Sequence, residues 1–276
     1  MSQPQRLYIY DSAKSKGAFI EEIKAVIRYR DLLVQLVKRD ILTRYKRSFL
    51  GVFWTMLNPL GTMVILSIVF SQVFEMRGVY PAYIITNLIS WNFFSQSTQF
   101  SLNSTLWGSM LYHKIYMPRT SFILATVGTN IVNFLLALVP LLLIFMITQV
   151  PIRSTILLLP FALLLLGCFA LGISLLVSTL VVFFPDMAEF YPVLLTAWMY
   201  LTPIIYPEDL LTDVLNGWIL KLNPLYHLIK IFRLVVFDGR LPTTAEWATA
   251  SAIAAVVLLC GWFIFTRLSK KFGYYV

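Results

Sequence analysis

Few residues in this sequence have the type and spacing that catalysis needs. Asp186 and Glu189 are two carboxylates three positions apart, a pairing that could serve acid–base chemistry or a proton relay. They stand at the edge of an apolar segment without a basic partner nearby, and acidic residues in such a place commonly begin a helix. His113 and His227 lie far apart in connections between apolar segments, where we expect ordinary interfacial residues. The carboxylate pair therefore indicates a helix start rather than a catalytic site.

Motifs for nucleotide, metal and nucleophile chemistry are missing from the sequence. It contains no GxxxxGK[ST] loop for ATP phosphates, no HExxH motif and no GxSxG turn. Cys168 and Cys260 stand singly within apolar segments, where a free thiol behaves as a small hydrophobic side chain. The centres of the apolar segments also lack the ionisable residue that a pump or secondary transporter needs. We therefore expect no cofactor or metal on this chain, and a partner as the energy source for any active transport.

The composition is that of a multi-span membrane protein. Hydrophobic residues make up 59% of the chain and charged residues 13%, with a mean hydropathy of +0.78; soluble proteins carry about 25% charged residues. The net charge of +9 does not indicate a nucleic-acid partner, because half of the basic residues precede Phe49, beside the first apolar segment. That distribution is typical of a cytoplasmic segment facing anionic membrane lipids.

Residues 1–48 are predicted to form a cytoplasmic tail and an amphipathic surface helix. From Phe19 to Tyr45, apolar residues recur three to four positions apart, which is the helical period. Basic residues between them favour a helix that lies in the membrane surface. A coiled-coil or partner-docking helix is the alternative. The basic residues predicted for this surface are Arg28, Arg30, Lys38, Arg39 and Arg44.

Residues 49–276 are predicted to form an all-α domain of six transmembrane spans. The second span is unusually polar, so we expect its amides and hydroxyls to face protein or water. Of the 22 lysines and arginines, only six lie in loops assigned to the outer side. The positive-inside rule therefore predicts that both termini are cytoplasmic. The predicted spans are residues 49–74, 80–102, 120–148, 156–182, 190–207 and 247–266.

Four stretches of the sequence carry a family resemblance. They are RDLLVQLVKRDILTRYKRSFLGVFWTMLNPL (30–60), ISWNFFSQSTQFSLNSTLWGSMLYHKIYMPR (89–119), FFPDMAEF (183–190), and YLTPIIYP (200–207) with LNPLYHLI (222–229). They resemble the permeases of type-2 ABC exporters, and within that class the exporters of lipid-linked polysaccharides such as O-antigen, capsule and teichoic acid. They occur in the family's order, and the likeness extends over about residues 20–270. Pro185 departs from the basic residue expected in the cytoplasmic turn.

The resemblance implies a homodimer in the bacterial inner membrane, bound to two ATPase subunits that hold ATP and Mg. It implies an N-terminal interface helix, a coupling helix between spans two and three, and re-entrant extracytoplasmic helices after span five. The charged, amphipathic stretch 107–117 is predicted to dock into the ATPase. The residues predicted for coupling are Trp107, Met110, Leu111, Tyr112, His113 and Lys114, together with Asp186 and Glu189 in the cytoplasmic turn.

The hypothesis that this protein forms a channel for sugars rests on its aromatic residues and prolines. Sugars are hydroxylated and have apolar ring faces, so a conduit for them needs aromatic rings and few charges. For each aromatic residue, an interfacial belt or core packing is the alternative. Proline cannot continue a helix, so we expect a break at Thr202–Pro203 and re-entry within region 208–246 as a gate; a cap that only stabilises the dimer is the alternative. The predicted channel and gate residues are Trp54, Trp91, Phe93, Trp198, Tyr200, Pro203, Tyr206 and Pro207.

Two further functions remain open on the sequence. A membrane glycosyltransferase or acyltransferase would need a carboxylate pair or a His–Asp pair near a membrane face, and Asp186 with Glu189 is the candidate. A drug or small-lipid exporter of the same ABC class is the other alternative. We expect a polysaccharide exporter, with O-antigen favoured over capsule and teichoic acid.

Overall fold

The computed structural model describes residues 22, 24, 26–46, 50–71, 73–74, 78–107, 120–212 and 217–274. All regular secondary structure in these ranges is helical. A 3-10 turn (Ser154–Leu158) leads into α5, a π-helical turn (Leu234–Asp238) follows α9, and a 3-10 turn (Ser269–Tyr274) follows α10. The helices are α1 Arg30–Tyr45, α2 Phe53–Phe70, α3 Tyr80–Trp107, α4 Thr120–Ile147, α5 Leu159–Phe183, α6 Met187–Tyr200, α7 Asp209–Thr212, α8 Trp218–Leu222, α9 Pro224–Arg233 and α10 Thr244–Leu268.

Four helical stretches are long and apolar enough to cross a membrane: Phe53–Phe70, Thr120–Ile147, Ser154–Phe183 and Thr244–Leu268. They coincide with the first, third, fourth and sixth predicted spans. Helix α3 has 28 residues, roughly 42 Å, and is long enough but more polar than these four. Helix α6 has only 14 residues, roughly 21 Å, against about 30 Å of hydrocarbon.

Helix α3 lies at the centre of the fold, and the polarity of the second predicted span has its explanation there. It packs against α2, α4, α5, α6 and α9. Phe94 is fully buried, and its ring lies 5.5 Å from that of Phe169 on α5 and 5.2 Å from that of Trp198 on α6. Its polar residues turn towards the protein, as expected: Asn87 and Ser97 are buried, and Asn92, Ser95, Gln96 and Gln99 are half-buried.

Helices α5 and α10 approach each other at two glycines. A Cβ atom built on Gly261 would lie 2.3 Å from the carbonyl oxygen of Gly172, and one built on Gly172 would lie 2.6 Å from the carbonyl oxygen of Val257. Only glycine allows the two backbones to lie this close, which is how helices commonly associate in lipid. This contact fixes the position of α5, against which α3 packs.

Helix α1 lies against the beginning of α4. Leu36 is buried there against Phe122 and Ala125. On the opposite side, Val34 of α1 and Ile27, just before α1, are exposed. Arg28, Arg30, Lys38 and Arg39 are also exposed, and the side chain of Arg44 lies outside the described part. The predicted basic helix is therefore attached to the bundle by one apolar face, and it leaves a second apolar strip and its basic residues uncovered.

Candidate functional site

The chain leaves helical geometry directly after α6, near the expected break. Helix α6 ends at Tyr200, and residues 201–206, here called the break segment, follow it. Thr202, Pro203, Ile204 and Ile205 are buried. A buried carbonyl without a donor is costly, so the break segment needs partners outside its own backbone.

Helix α3 supplies those partners from one face. The Tyr80 hydroxyl donates to the carbonyl oxygen of Ile205 at 2.7 Å. The Tyr83 hydroxyl donates to the carbonyl oxygen of Tyr206 at 2.8 Å, and the carbonyl oxygen of Pro203 is a second acceptor, 3.3 Å from the same hydroxyl. Asn87 Nδ2 donates to the carbonyl oxygen of Ile204 at 3.3 Å. Positions 80, 83 and 87 are three and four residues apart and therefore share a helix face. We call these three side chains the carbonyl clasp.

Asn223 attaches the other side of the break segment to α9. Its Nδ2 donates to the carbonyl oxygen of Leu201 at 3.1 Å and to Thr202 Oγ1 at 2.8 Å. Its Oδ1 accepts from the indole of Trp198 at 2.9 Å and from two backbone N–H groups of α9. Asn223 thus caps α9, with proline at the first helical position, while it binds α6 and the break segment.

An ionic cluster holds the end of the break segment. Arg233 is 5% exposed and pairs with Glu208, and its guanidinium lies 5.7 Å from the ring of Tyr83. Arg233 Nη1 also donates to the Tyr83 hydroxyl at 3.3 Å, which joins the cluster to the carbonyl clasp. Lys230 lies 3.5 Å from Glu208, and the Tyr226 hydroxyl donates to Glu208 at 3.0 Å. We call Glu208, Tyr226, Lys230 and Arg233 the ionic cluster.

The charge state of the ionic cluster follows from its partners. Burial alone would raise the pKa of Glu208, but the positive charges of Arg233 and Lys230 outweigh it and lower the pKa. Burial likewise opposes the charge on Arg233, whose pKa is nevertheless raised by Tyr83 and Glu208. Both members of the pair therefore stay charged at neutral pH. Removing Glu208 would leave the buried Arg233 with Asp238, at 3.9 Å, as its remaining carboxylate partner.

The predicted gate residues occupy different places around this arrangement. Tyr206 is half-buried, and its hydroxyl donates to the carbonyl oxygen of Tyr200, whose own side chain is exposed. Pro203 is buried and Pro207 is half-buried. Trp198 is half-buried between Phe94 and the polar contact with Asn223. The prolines mark the break, while the side chains that hold it come from α3 and α9.

The other predicted channel aromatics divide between core and cavity. Trp91 is buried with its ring 5.9 Å from that of Phe94, which favours the alternative of core packing. Trp54 and Phe93 line a cavity of about 400 Å³ between α2, α3 and α4. Trp54 is half-exposed at its edge, and Phe93 is buried.

Most of the predicted coupling residues fall outside the described ranges. Met110, Leu111, Tyr112, His113 and Lys114 lie there, and Trp107 is the last residue of α3, with a side chain outside the described part. Asp186 and Glu189 are exposed at the beginning of α6, with Glu189 in its first turn. Their position agrees with a solvated helix start.

The carbonyl clasp and the ionic cluster were missed by the sequence analysis. The available signal was the spacing of Tyr80, Tyr83 and Asn87 on one face of an apolar helix. For the cluster it was the pair Lys230 and Arg233, three residues apart on an otherwise apolar helix. Neither pattern identifies its partner, because Glu208 is 25 residues from Arg233 in the chain and Tyr206 is 123 residues from Tyr83.

Comparison with known proteins shows which protein family this sequence matches. Residues 31–237 match the family described as ABC-2 type transporter. The chain is 29% identical over 258 residues to the O-antigen export system permease protein RfbA of Myxococcus xanthus, covering 92% of this chain and 98% of that protein. It is 30% identical over 247 residues to an RfbA protein of Klebsiella pneumoniae, covering 88% and 94%. It is 22% identical over 230 residues to the polysialic acid transport protein KpsM of Escherichia coli, covering 82% and 89%.

Proposed function

Since this chain belongs to the ABC-2 type transporter family, we propose that it is the permease subunit of an ATP-driven exporter that carries lipid-linked polysaccharide out of the cytoplasm. The observation that carries this proposal is the match to polysaccharide export permeases over nearly the whole chain. The chain is a transport subunit of a polysaccharide exporter; ATP hydrolysis, with its Mg, is assigned to a separate ATPase subunit. We propose the bacterial inner membrane as its location.

We propose a homodimer with six spans per subunit and both termini in the cytoplasm. Helices α3 and α6 are assigned as the second and fifth spans, and α7–α9 as the re-entrant segments. The burial of α3 among other helices supports this assignment, because a polar span must face protein or water. The short α6 supports it too, since only a buried break allows a span of this length to turn back within the membrane.

The break segment is proposed as the extracytoplasmic gate. Five of its six carbonyl oxygens accept from side chains of α3 or from Asn223 at the N-terminus of α9, so it can be released by changing a few hydrogen bonds. Movement of α3 or α9 during ATP binding would shift it as a unit. The alternative, a fixed cap at the dimer interface, predicts that the segment never moves.

Helix α1 is proposed to lie in the cytoplasmic membrane surface and to brace the ATPase. Its exposed strip, with Ile27 and Val34, and its basic residues suit contact with lipid and with a partner. Residues 107–117 are proposed to dock into the ATPase subunit.

O-antigen is the proposed cargo because the relatives at 29–30% identity are O-antigen permeases, whereas the polysialic acid protein is 22% identical. A capsule exporter is the second candidate. A membrane transferase is disfavoured because the exposed Asp186 and Glu189 occupy a helix start.

Deletion of the gene tests the proposal and separates these cargoes. We expect loss of one surface polysaccharide and accumulation of its lipid-linked form inside the cell, both restored by the wild-type gene. The polymer that disappears identifies the cargo. Unchanged surface polysaccharides in the deletion strain would contradict the proposed function.

A further inference from the structure

The cavity between α2, α3 and α4 has a lining of amides and aromatic rings. It measures about 400 Å³, within the usual range of small-molecule sites of roughly 300–1,000 Å³. None of the described residues that line it is charged. The amides are Asn58, Asn92, Gln96, Asn130 and Asn133, and the aromatic residues are Trp54, Phe93, Phe100 and Phe134. We call this space the amide cavity.

The amides face one another from two helices. Asn92 and Gln96 are four residues apart on α3, and Asn130 and Asn133 are three apart on α4, so each pair shares a helix face. Asn130 Nδ2 donates to the Thr126 carbonyl at 3.1 Å, and Asn133 Nδ2 donates to Asn130 Oδ1 at 3.2 Å. The α4 amides are therefore fixed in orientation by their own helix.

One polar atom of this lining has no protein partner. Asn133 is 9% exposed, and its Oδ1 is buried without a hydrogen-bond partner in the described part of the chain. A buried acceptor left without a donor costs about 1–3 kcal/mol. Asn133 lines the cavity, so a ligand hydroxyl that reaches its amide would supply the missing donor.

We propose that the amide cavity binds uncharged glycosyl rings of the exported polysaccharide, an inference that rests on the proposed function. A sugar ring presents hydroxyls, which both donate and accept, and C–H faces, which pack on aromatic rings. Amides also donate and accept through one side chain, and Trp54 and Phe100 provide the faces. The absence of charge among the lining residues favours neutral rings over phosphate or carboxylate groups, which would require cationic partners.

A second cavity extends the amide cavity towards α1. It measures about 260 Å³, shares Phe100 with the first, and is lined otherwise by hydroxyl side chains and Asp40. Asp40 and Thr43 belong to α1, which is the cytoplasmic surface helix in our proposal. The second cavity therefore lies between the amide cavity and the side from which a nascent glycan would arrive, and the amide cavity is assigned as an intake site of the permease.

Site-specific photo-cross-linking tests the occupant. Phe100 is replaced by p-benzoylphenylalanine in the full-length chain, expressed with its ATPase in cells that make the host glycan and in cells lacking the first glycosyltransferase. The matched control carries the same replacement at Phe161, which is exposed on α5 and lies outside the cavity lining. We expect a carbohydrate-bearing adduct from position 100 only, and only in glycan-producing cells. An adduct that persists without the glycan, or one without carbohydrate, would overturn the assignment.

A pair of substitutions provides a second, independent readout. Asn133→Leu preserves side-chain size and removes the hydrogen bonds, so we expect roughly five- to ten-fold slower glycan export at unchanged membrane level. The control, Gln99→Leu, removes a half-buried amide of α3 outside the cavity and should export at the wild-type rate. Equal export by both variants would contradict the site while leaving the proposed function intact. Failure of the proposed function is recognised separately, as unchanged surface glycan in the deletion strain.

Discussion

Substitution of Tyr83 by phenylalanine tests the gate through a single oxygen atom. Tyr83→Phe keeps the buried ring and removes the hydroxyl that donates to the Tyr206 carbonyl at 2.8 Å and accepts from Arg233 at 3.3 Å. The carbonyl and one guanidinium N–H lose this partner. The cost is about 1–3 kcal/mol. If the break segment alternates between closed and released states, the released population should rise roughly 5- to 150-fold.

Leakage from proteoliposomes measures that population. The permease is reconstituted with its ATPase around trapped carboxyfluorescein, without ATP, and dye release is followed. We expect faster release from Tyr83→Phe than from wild type. The matched control is Tyr191→Phe, which removes an equally buried hydroxyl on α6 that makes no bond to the break segment. Its release rate should equal that of wild type.

The same samples separate a gate from a rigid cap. Both variants are also unfolded thermally in detergent. A lowered unfolding temperature for Tyr83→Phe together with wild-type dye release would refute the gate and favour a segment that only stabilises the protein.

Three further predictions concern packing, charge and coupling. Gly261→Ala should reduce the free energy of unfolding by roughly 1–3 kcal/mol and lower the unfolding temperature, because its Cβ would lie 2.3 Å from a backbone oxygen. Gly61→Ala, with open space around its Cβ, should do neither, and equal effects would contradict the close approach of α5 and α10. Because folding lowers the pKa of Glu208, its carboxylate stabilises the fold at pH values above its ordinary pKa of 4.5, and this contribution is lost as the pH falls from 4.5 through the lowered pKa. Glu208→Gln should cost about 1–3 kcal/mol at pH 7, since Arg233 keeps Asp238 as a partner, and should show a weaker acid dependence in thermal unfolding than wild type. The Tyr112→Ala/Lys114→Ala double variant should retain membrane insertion and lose glycan export while ATP hydrolysis continues, and unchanged export would count against docking at residues 107–117.

The positions of the main helices could be predicted from the sequence, because the periodicity and the length of its hydrophobic segments determine them. The four most apolar helices begin and end within a few residues of the predicted spans. The break after α6 was also predictable, because Pro203 cannot supply a backbone donor. The short helices Asp209–Thr212 and Trp218–Leu222 are too brief for a period to define them.

The contacts of the candidate site could not be obtained from local sequence. Tyr83, Asn223 and Glu208 acquire their roles only when α3, α9 and the break segment meet in space. Trp91 and Phe93 show the same limit: they are two residues apart and similar in type, yet one packs in the core and the other lines the amide cavity. Aromatic composition indicated sugar contact in general, and tertiary packing decides which ring is available.

Transport in a reconstituted system is the decisive test of polysaccharide export by this chain. The chain and its ATPase are co-purified, placed in liposomes with the host's lipid-linked glycan outside, and supplied with ATP and Mg. We expect ATP-dependent appearance of the glycan in the inner leaflet, protected from an added glycosidase, and no protection when ATP is replaced by a non-hydrolysable analogue. Stable co-purification with an active ATPase but no ATP-dependent protection of the glycan would contradict polysaccharide export by this chain.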